Sequence, residues 1–185
     1  MFFDNKVHLV FGAKGSGKTT LAAYICAKEA GKHDVFSNYP LKGAYKITLD
    51  DLRSKAIPSG SIILIDEAAG ILNCRDWRST GMDLIEFMQL ARHIDVTVYF
   101  FSQSLTALDC QITDLCDDAI SCTKLFWGLS RYNYCRRELR KNGMPIFVST
   151  HSHFLVYRPK YYSYFDTHYL SESYNSKPSL QKVSW

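Results

Sequence analysis

Apolar residues gather along this chain in two patterns. Short continuous runs stand at 7–11 (VHLVF), 61–66 (SIILID) and 96–103 (VTVYFFSQ), with a weaker one at 34–40 (DVFSNYP) that Pro40 ends. Such runs, bounded by turn residues, predict strands buried on both faces. Between them, apolar positions recur every three or four residues. KTTLAAYICAKEA (18–30) predicts a helix with Gly31 as its stop. GMDLIEFMQLARHI (81–94) predicts an amphipathic helix through Leu84, Ile85, Met88 and Ala91. YKIT (45–48) predicts a small edge strand. TLDDLRSK (48–55) predicts a short helix capped by Thr48, with Asp51 in its first turn. Strands alternating with helices predict βαβ units, a mainly parallel sheet and helices on both its faces.

The pattern changes after 128, past one further strand. DLCDDAISCTKLFWG (114–128) predicts one more strand, RYNYCRRELRKNG (131–143) a basic helix, and PIFVST with SHFLVYRP (145–159) a terminal β-hairpin. Beyond Tyr169 the chain is Ser-rich, which predicts one domain over 1–170 and a flexible tail over 171–185.

Composition narrows the class only slightly. The 185 residues fit one domain, and a net charge of +4 permits a nucleic-acid partner without requiring one. The six cysteines, at 26, 74, 110, 116, 122 and 135, form no CxxC pair, which speaks against a zinc ribbon or a thioredoxin-like site. Reduced thiols in a cytosol are the simpler reading. The N-terminus is no signal peptide, and the longest apolar run, SIILIDEAAGIL, is broken by two carboxylates. No transmembrane segment is expected, and the expected location is cytoplasmic.

Gly12-Ala13-Lys14-Gly15-Ser16-Gly17-Lys18-Thr19 matches GxxxxGK[ST] in full, after a strand and before a helix. Glycines there let main-chain N–H groups turn inward on phosphate oxygens, and the helix that follows adds its positive end. The segment from Gly12 to Thr20 is therefore the expected ATP-binding loop. Lys18 would reach the β- and γ-phosphates, and the Thr19 hydroxyl would bind Mg²⁺.

Two further strand ends carry chemistry. Asp66 closes SIILID and would hold Mg²⁺ directly or through water. Glu67 follows it, and either orients and deprotonates a water in line with the γ-phosphate or caps the next segment. Gln103 stands just past VTVYFFS, where an amide either touches the γ-phosphate or is satisfied by loop backbone.

The set GAKGSGKT, FSNYPL, IILIDEA, ARHIDVTVYFFSQS and the late Phe165-Asp166-Thr167 resembles the zonular occludens toxin (Zot) family, P-loop ATPases of filamentous bacteriophages. The resemblance covers most of 6–170. It implies an additional-strand P-loop fold of the HerA–FtsK kind, with the Gln103 strand between the phosphate-loop strand and the Asp66 strand. It favours Gln103 as a γ-phosphate sensor. It also implies a homo-oligomeric ATPase that extrudes or packages phage DNA at the host inner membrane, beside a membrane or capsid partner. Phage assembly proteins carry a transmembrane segment after the ATPase domain. None is evident up to Trp185, so the resemblance implies a soluble form or a membrane part on another chain.

Motors of this kind take an arginine from a neighbouring subunit. Arg92 is the leading candidate, with Arg75 and Arg78 behind it. Arg136, Arg137, Arg140 and Lys141 make either a DNA-tracking face or a solvated one. The tyrosine-rich stretch Tyr157 to Tyr169 either packs on the sheet or stacks single-stranded bases. His151 and His153 would share a strand face, but two histidines without a third ligand make a poor metal site. The reading reached is a Mg-ATP-hydrolysing motor. The alternatives are a small nucleotide or metabolite kinase, with RYNYCRRELRK imitating its lid, and an assembly switch that binds nucleotide without turnover.

Overall fold

The computed structural model describes residues 2–48, 51–52, 57–66, 87–89, 91, 93–103, 110–140 and 145–166. The apolar runs form strands β1 (Val7–Phe11), β2 (Val35–Ser37), β4 (Ile62–Ile65) and β5 (Thr97–Ser102), and β3 (Tyr45–Lys46) is the small edge strand. Helix α1 spans Lys18–Glu29 and α2 spans Cys110–Leu115. Strands β6 (Asp118–Lys124), β7 (Leu129–Leu139) and β8 (Pro145–Tyr157) follow, and a 3-10 helix, Arg158–Tyr164, ends the described chain.

The described strands make one eight-stranded sheet in the order β3-β2-β4-β5-β1-β6-β7-β8. Every pair from β3 to β6 is parallel, and β7 and β8 add antiparallel. Strand β5 lies between β1 and β4, the order that the resemblance implies.

Each face of the sheet carries its own core, because successive strand residues point to opposite sides. On one face Val10, Leu64, Phe101 and Ile120 pack against Leu21, Ile25 and Cys26 of α1. On the other, Val7, Leu9, Ile63, Ile65 and Phe100 meet Leu52, Phe87, Met88 and Ala91. Met88 and Ala91 thus bury the stripe read from their spacing. Thr48 and Asp51 form the expected cap: Thr48 N–H and Oγ1–H donate to Asp51 Oδ2 (2.7 and 2.6 Å), and Asp51 N–H donates to Thr48 Oγ1 at 3.3 Å. Burial pushes the thiols of Cys26 and Cys122 up to about 11 and about 12, so they remain protonated at neutral pH. Among the described residues, no helix is long and apolar enough to cross a membrane.

Three expectations for the last third need correction. Residues 114–128 are not one strand: they hold the end of α2, all of β6 and a turn. The basic segment after 130 is strand β7, not a helix. Its straight-chain charged residues favour helix only weakly, and pairing with both β6 and β8 outweighs that preference. PIFVST and SHFLVYRP do not fold on each other. All but Arg158 and Pro159, which open the 3-10 helix, join in one 13-residue strand that pairs with β7, and His151-Ser152-His153 offers no Gly, Pro, Asn or Asp to turn on.

Candidate functional site

The ends of β4, β5, β1 and β6 meet along one edge of the sheet. Phe11 is level with Ser102 on one side and Ser121 on the other, and Ile65 is level with Phe100. The phosphate loop leaves β1 at this edge. Gly12 N–H donates to Ser102 O (3.3 Å), and Ser16 N–H closes a turn on Ala13 O (3.1 Å). Gly12 lies so close to β6 that a Cβ would stand 2.5 Å from Cys122 O. Gly17 has φ +104, and its Cβ would stand 2.5 Å from Ser130 Oγ and 2.8 Å from Tyr132 Oη. Neither position admits a side chain.

Lys18, the first residue of α1, curls over the loop and donates from Nζ to Gly12 O (2.8 Å) and Ala13 O (3.2 Å). Its neighbour Thr19 donates from Oγ1 to Asp66 Oδ2 at 3.3 Å. That bond brings together the two residues read from the sequence as the Mg²⁺ pair. Ser16 Oγ is buried with no partner among the described residues. A narrow glycine cradle, an orphaned hydroxyl, an ammonium and a Thr–Asp pair fit a nucleotide's phosphates and a hard cation.

Asn38, of the SN dipeptide, clamps Asp66 by its backbone. Its Nδ2–H donates to Asp66 O (3.0 Å), while Asp66 N–H donates to its Oδ1 (2.8 Å). This gives the SN of the resemblance a physical purpose, since it fixes where the carboxylate leaves β4. Gln103 is exposed and follows Ser102, whose carbonyl holds the first residue of the loop. Glu67, Arg75, Arg78, Arg92 and Lys141 lie outside the described residues.

The basic residues of β7 stand elsewhere. Strand β7 runs antiparallel to β6, so Arg136 and Arg137 lie toward the edge opposite the phosphate loop, each with an acidic neighbour. Arg136 Nη2 meets Glu138 Oε1 at 2.6 Å, and Arg137 Nη2 meets Asp114 Oδ1 at 3.5 Å. In the tyrosine-rich stretch, packing accounts for Tyr161, Tyr164 and Phe165. Tyr161 is buried against Tyr24, Lys42 N–H donates to Tyr164 O, and Phe165 bridges to Leu41. Tyr39 Oη–H donates to Asp166 O, which ties the NYPL segment to the FD dipeptide. Tyr157 and Tyr162 are exposed, and Thr167 and Tyr169 lie outside the described residues.

Sequence reasoning missed three residues that shape the loop from behind. Ser130 Oγ–H donates to Ser16 O, and Tyr132 Oη–H donates to Gly17 O, both at 2.8 Å. Burial raises the Tyr132 phenol pKa far above neutral, so it stays a donor. Arg158 reaches Gly15 O through Nη1 (3.4 Å) and Gly128 O through Nε (3.3 Å). No local signal marks these residues, because their partners lie over a hundred positions earlier in the chain or, for Gly128, across a hairpin.

The fold is similar to that of the N-terminal domain of zonular occludens toxin from Neisseria meningitidis, with TM-score 0.60 and 18% identity over 87% of this chain and 98% of that one. It is also similar to the RadB recombinase (TM-score 0.51, 16% identity, 79% and 87% covered). B204, the DNA-packaging ATPase from Sulfolobus turreted icosahedral virus, gives TM-score 0.51 and 16% identity, with 80% and 98% covered. At such identities the likeness shows the fold, that of an α/β P-loop NTPase. No curated protein matches the chain. The family model for zonular occludens toxin (Zot) matches residues 35–168, more than half of the chain. The match begins beyond the phosphate loop, so Asn38, Asp66 and Gln103 fall inside it while the loop stands on its own motif and geometry. A match of that extent settles the family: the chain belongs to the zonular occludens toxin (Zot) family.

Proposed function

We propose that the protein is a Mg-ATP-hydrolysing P-loop ATPase that works as a homo-oligomeric motor on phage DNA, in virion extrusion or genome packaging. The observation that carries the reading is the bond from Thr19 to Asp66, which joins the phosphate loop to the acidic end of β4 beside the Gln103 strand. Mg²⁺, when bound, would neutralise charge on the β- and γ-phosphates. Thr19 and Asp66 would hold it. The loop N–H groups and the Lys18 ammonium bind the phosphate oxygens. Glu67 accepts a proton from water as that water's oxygen bonds to the γ-phosphorus and the bond to the bridging oxygen breaks, releasing ADP and phosphate. Gln103 reads the presence of the γ-phosphate from the next strand, and Arg92 supplies positive charge to the site of a neighbouring subunit.

The DNA load rests on the family and on B204, a DNA-packaging ATPase of the same fold. A host-cytoplasmic site beside an inner-membrane or capsid partner follows from the same kinship. The kinase alternative is disfavoured, since RYNYCRREL, most of the stretch read as its lid, lies in β7. Glu67→Gln should keep ATP binding and abolish phosphate release, whereas normal turnover would remove Glu67 as the base. Phosphate release in the unaltered protein, with no acceptor, separates an ATPase from a kinase or a silent switch. Stimulation by single- or double-stranded DNA tests the motor, and its absence with both would count against DNA as the load.

A further inference from the structure

The turn between β6 and β7 holds two large aromatic residues in water. Phe126 is 75% exposed and Trp127 is 84% exposed. Leu129 N–H donates to Phe126 O (3.2 Å), and φ is positive at both central residues, +58 at Trp127 and +74 at Gly128, as in a type I′ turn. Gly128 suits such a turn. Trp127 does not: the left-handed region is unfavourable for a bulky side chain, and asparagine would satisfy it better. The fold therefore displays an indole where neither burial nor turn geometry calls for one.

The turn's position suggests a use. Strand β6 pairs directly with β1, so their loops are neighbours on the phosphate-binding edge. The Arg158 guanidinium spans from Gly15 O of the phosphate loop to Gly128 O of the turn, and Arg158 N–H also donates to Gly128 O at 2.8 Å. The turn is thus pinned to the loop at a fixed separation. Across the edge the order is Asp66, Gln103, phosphate loop, aromatic turn. Thr19 bonds to Asp66, which places the metal and γ-phosphate end of a nucleotide on the β4–β5 side. The other end of the nucleotide must leave toward β6 and β7.

We propose that the Phe126–Trp127 turn is the seat of the nucleotide's base, with the purine ring stacked on the Trp127 indole; this rests on the phosphate-loop reading above. Stacking on an exposed aromatic face needs no base-edge hydrogen bonds, so the seat holds adenine and guanine alike and discriminates little between them.

The test compares ATP with inorganic tripolyphosphate, which has the phosphates and no base, by calorimetry on the full chain. Trp127→Asn keeps the left-handed turn, and thermal unfolding of the variant checks that it folds. ATP binding should weaken about tenfold, the scale of one lost base–aromatic stack, while tripolyphosphate binding stays unchanged. Trp127→Phe should restore most of the ATP affinity. An ATP affinity equal to that of the unaltered protein overturns the base seat and leaves the phosphate loop standing. Equal losses for ATP and tripolyphosphate also overturn it, because the turn would then act only by shaping the loop. If the unaltered protein bound neither compound, the phosphate-loop reading would fall and the base seat with it.

Discussion

Ser130 and Tyr132 stand two residues apart on β7, on the same face, directly under the phosphate loop. Their hydroxyls hold the carbonyls of Ser16 and Gly17 at 2.8 Å. In a trans peptide the carbonyl and the following N–H point in opposite directions. Pulling those two carbonyls onto β7 therefore turns the N–H groups of Gly17 and Lys18 away from β7, the orientation that binding of phosphate by the loop would need. Tyr132→Phe removes one of the two donors without opening a cavity. Gly17 O still accepts from Leu21 N–H (2.9 Å), so it is not orphaned, and the cost is that of one net hydrogen bond, about 1 kcal/mol. For a domain of this size that lowers Tm by roughly 2–4 °C. Ser130→Ala should cost a similar amount. Both residues act on one loop, so the double variant should depart from the sum of the two. ATP affinity should fall as well, by about tenfold in the double variant, since misaiming the phosphate-binding donors costs about 1.4 kcal/mol, the scale of one net hydrogen bond. Denaturant unfolding gives the stability, and calorimetric titration with ATP gives the affinity. Unaltered ATP affinity in a double variant that has lost stability would refute the argument and reduce the hydroxyls to core packing.

Asn38→Ala should leave the fold intact but free the Asp66 backbone. The Mg²⁺ concentration giving half-maximal turnover should then rise about tenfold, as when other groups that orient a metal ligand are lost, with less effect on ATP binding in EDTA. His8 lies buried at the opposite end of the sheet, between Asp4 and Asp118 and stacked on Tyr99. Burial works against its charge, but hydrogen bonds to Asp118 and Asp4, with their charges, prevail and raise its pKa to about 9. A raised pKa means that the stabilisation is complete below the unfolded value of 6.5 and is lost as pH rises through about 9. The loss is about 3 kcal/mol. Unfolding free energies from pH 6 to 10 should show this fall in the unaltered protein and not in His8→Gln, and parallel curves would disprove it. Nucleotide affinity should not follow, since His8 lies far from the loop along β1.

Much of the site could be read in the chain because its chemistry is local. A phosphate loop is eight consecutive residues, and an acid at the end of an apolar run needs no distant partner to be recognised. Asp66 and Thr19 are 47 positions apart and yet bond, because both motifs sit where buried parallel strands end. The strands themselves were legible for the same reason: burial on both faces leaves an unbroken apolar run. The last third was not. Strands β7 and β8 carry charge and hydroxyls, and only the pairing of β7 with β6 and of β8 with β7 decides that RYNYCRREL is extended and that PIFVSTHSHFLVY is one strand. Asn38 stood in the sequence as half of a dipeptide, and its hold on the Asp66 backbone required β2 and β4 to be neighbours. Ser130, Tyr132 and Arg158 gained their places under and beside the loop only when β7 paired with β6 and β8 with β7. Hydrophobic pattern and short motifs fix what each segment can be. Which hydroxyl meets which carbonyl depends on strand order, and strand order is a property of the whole sheet.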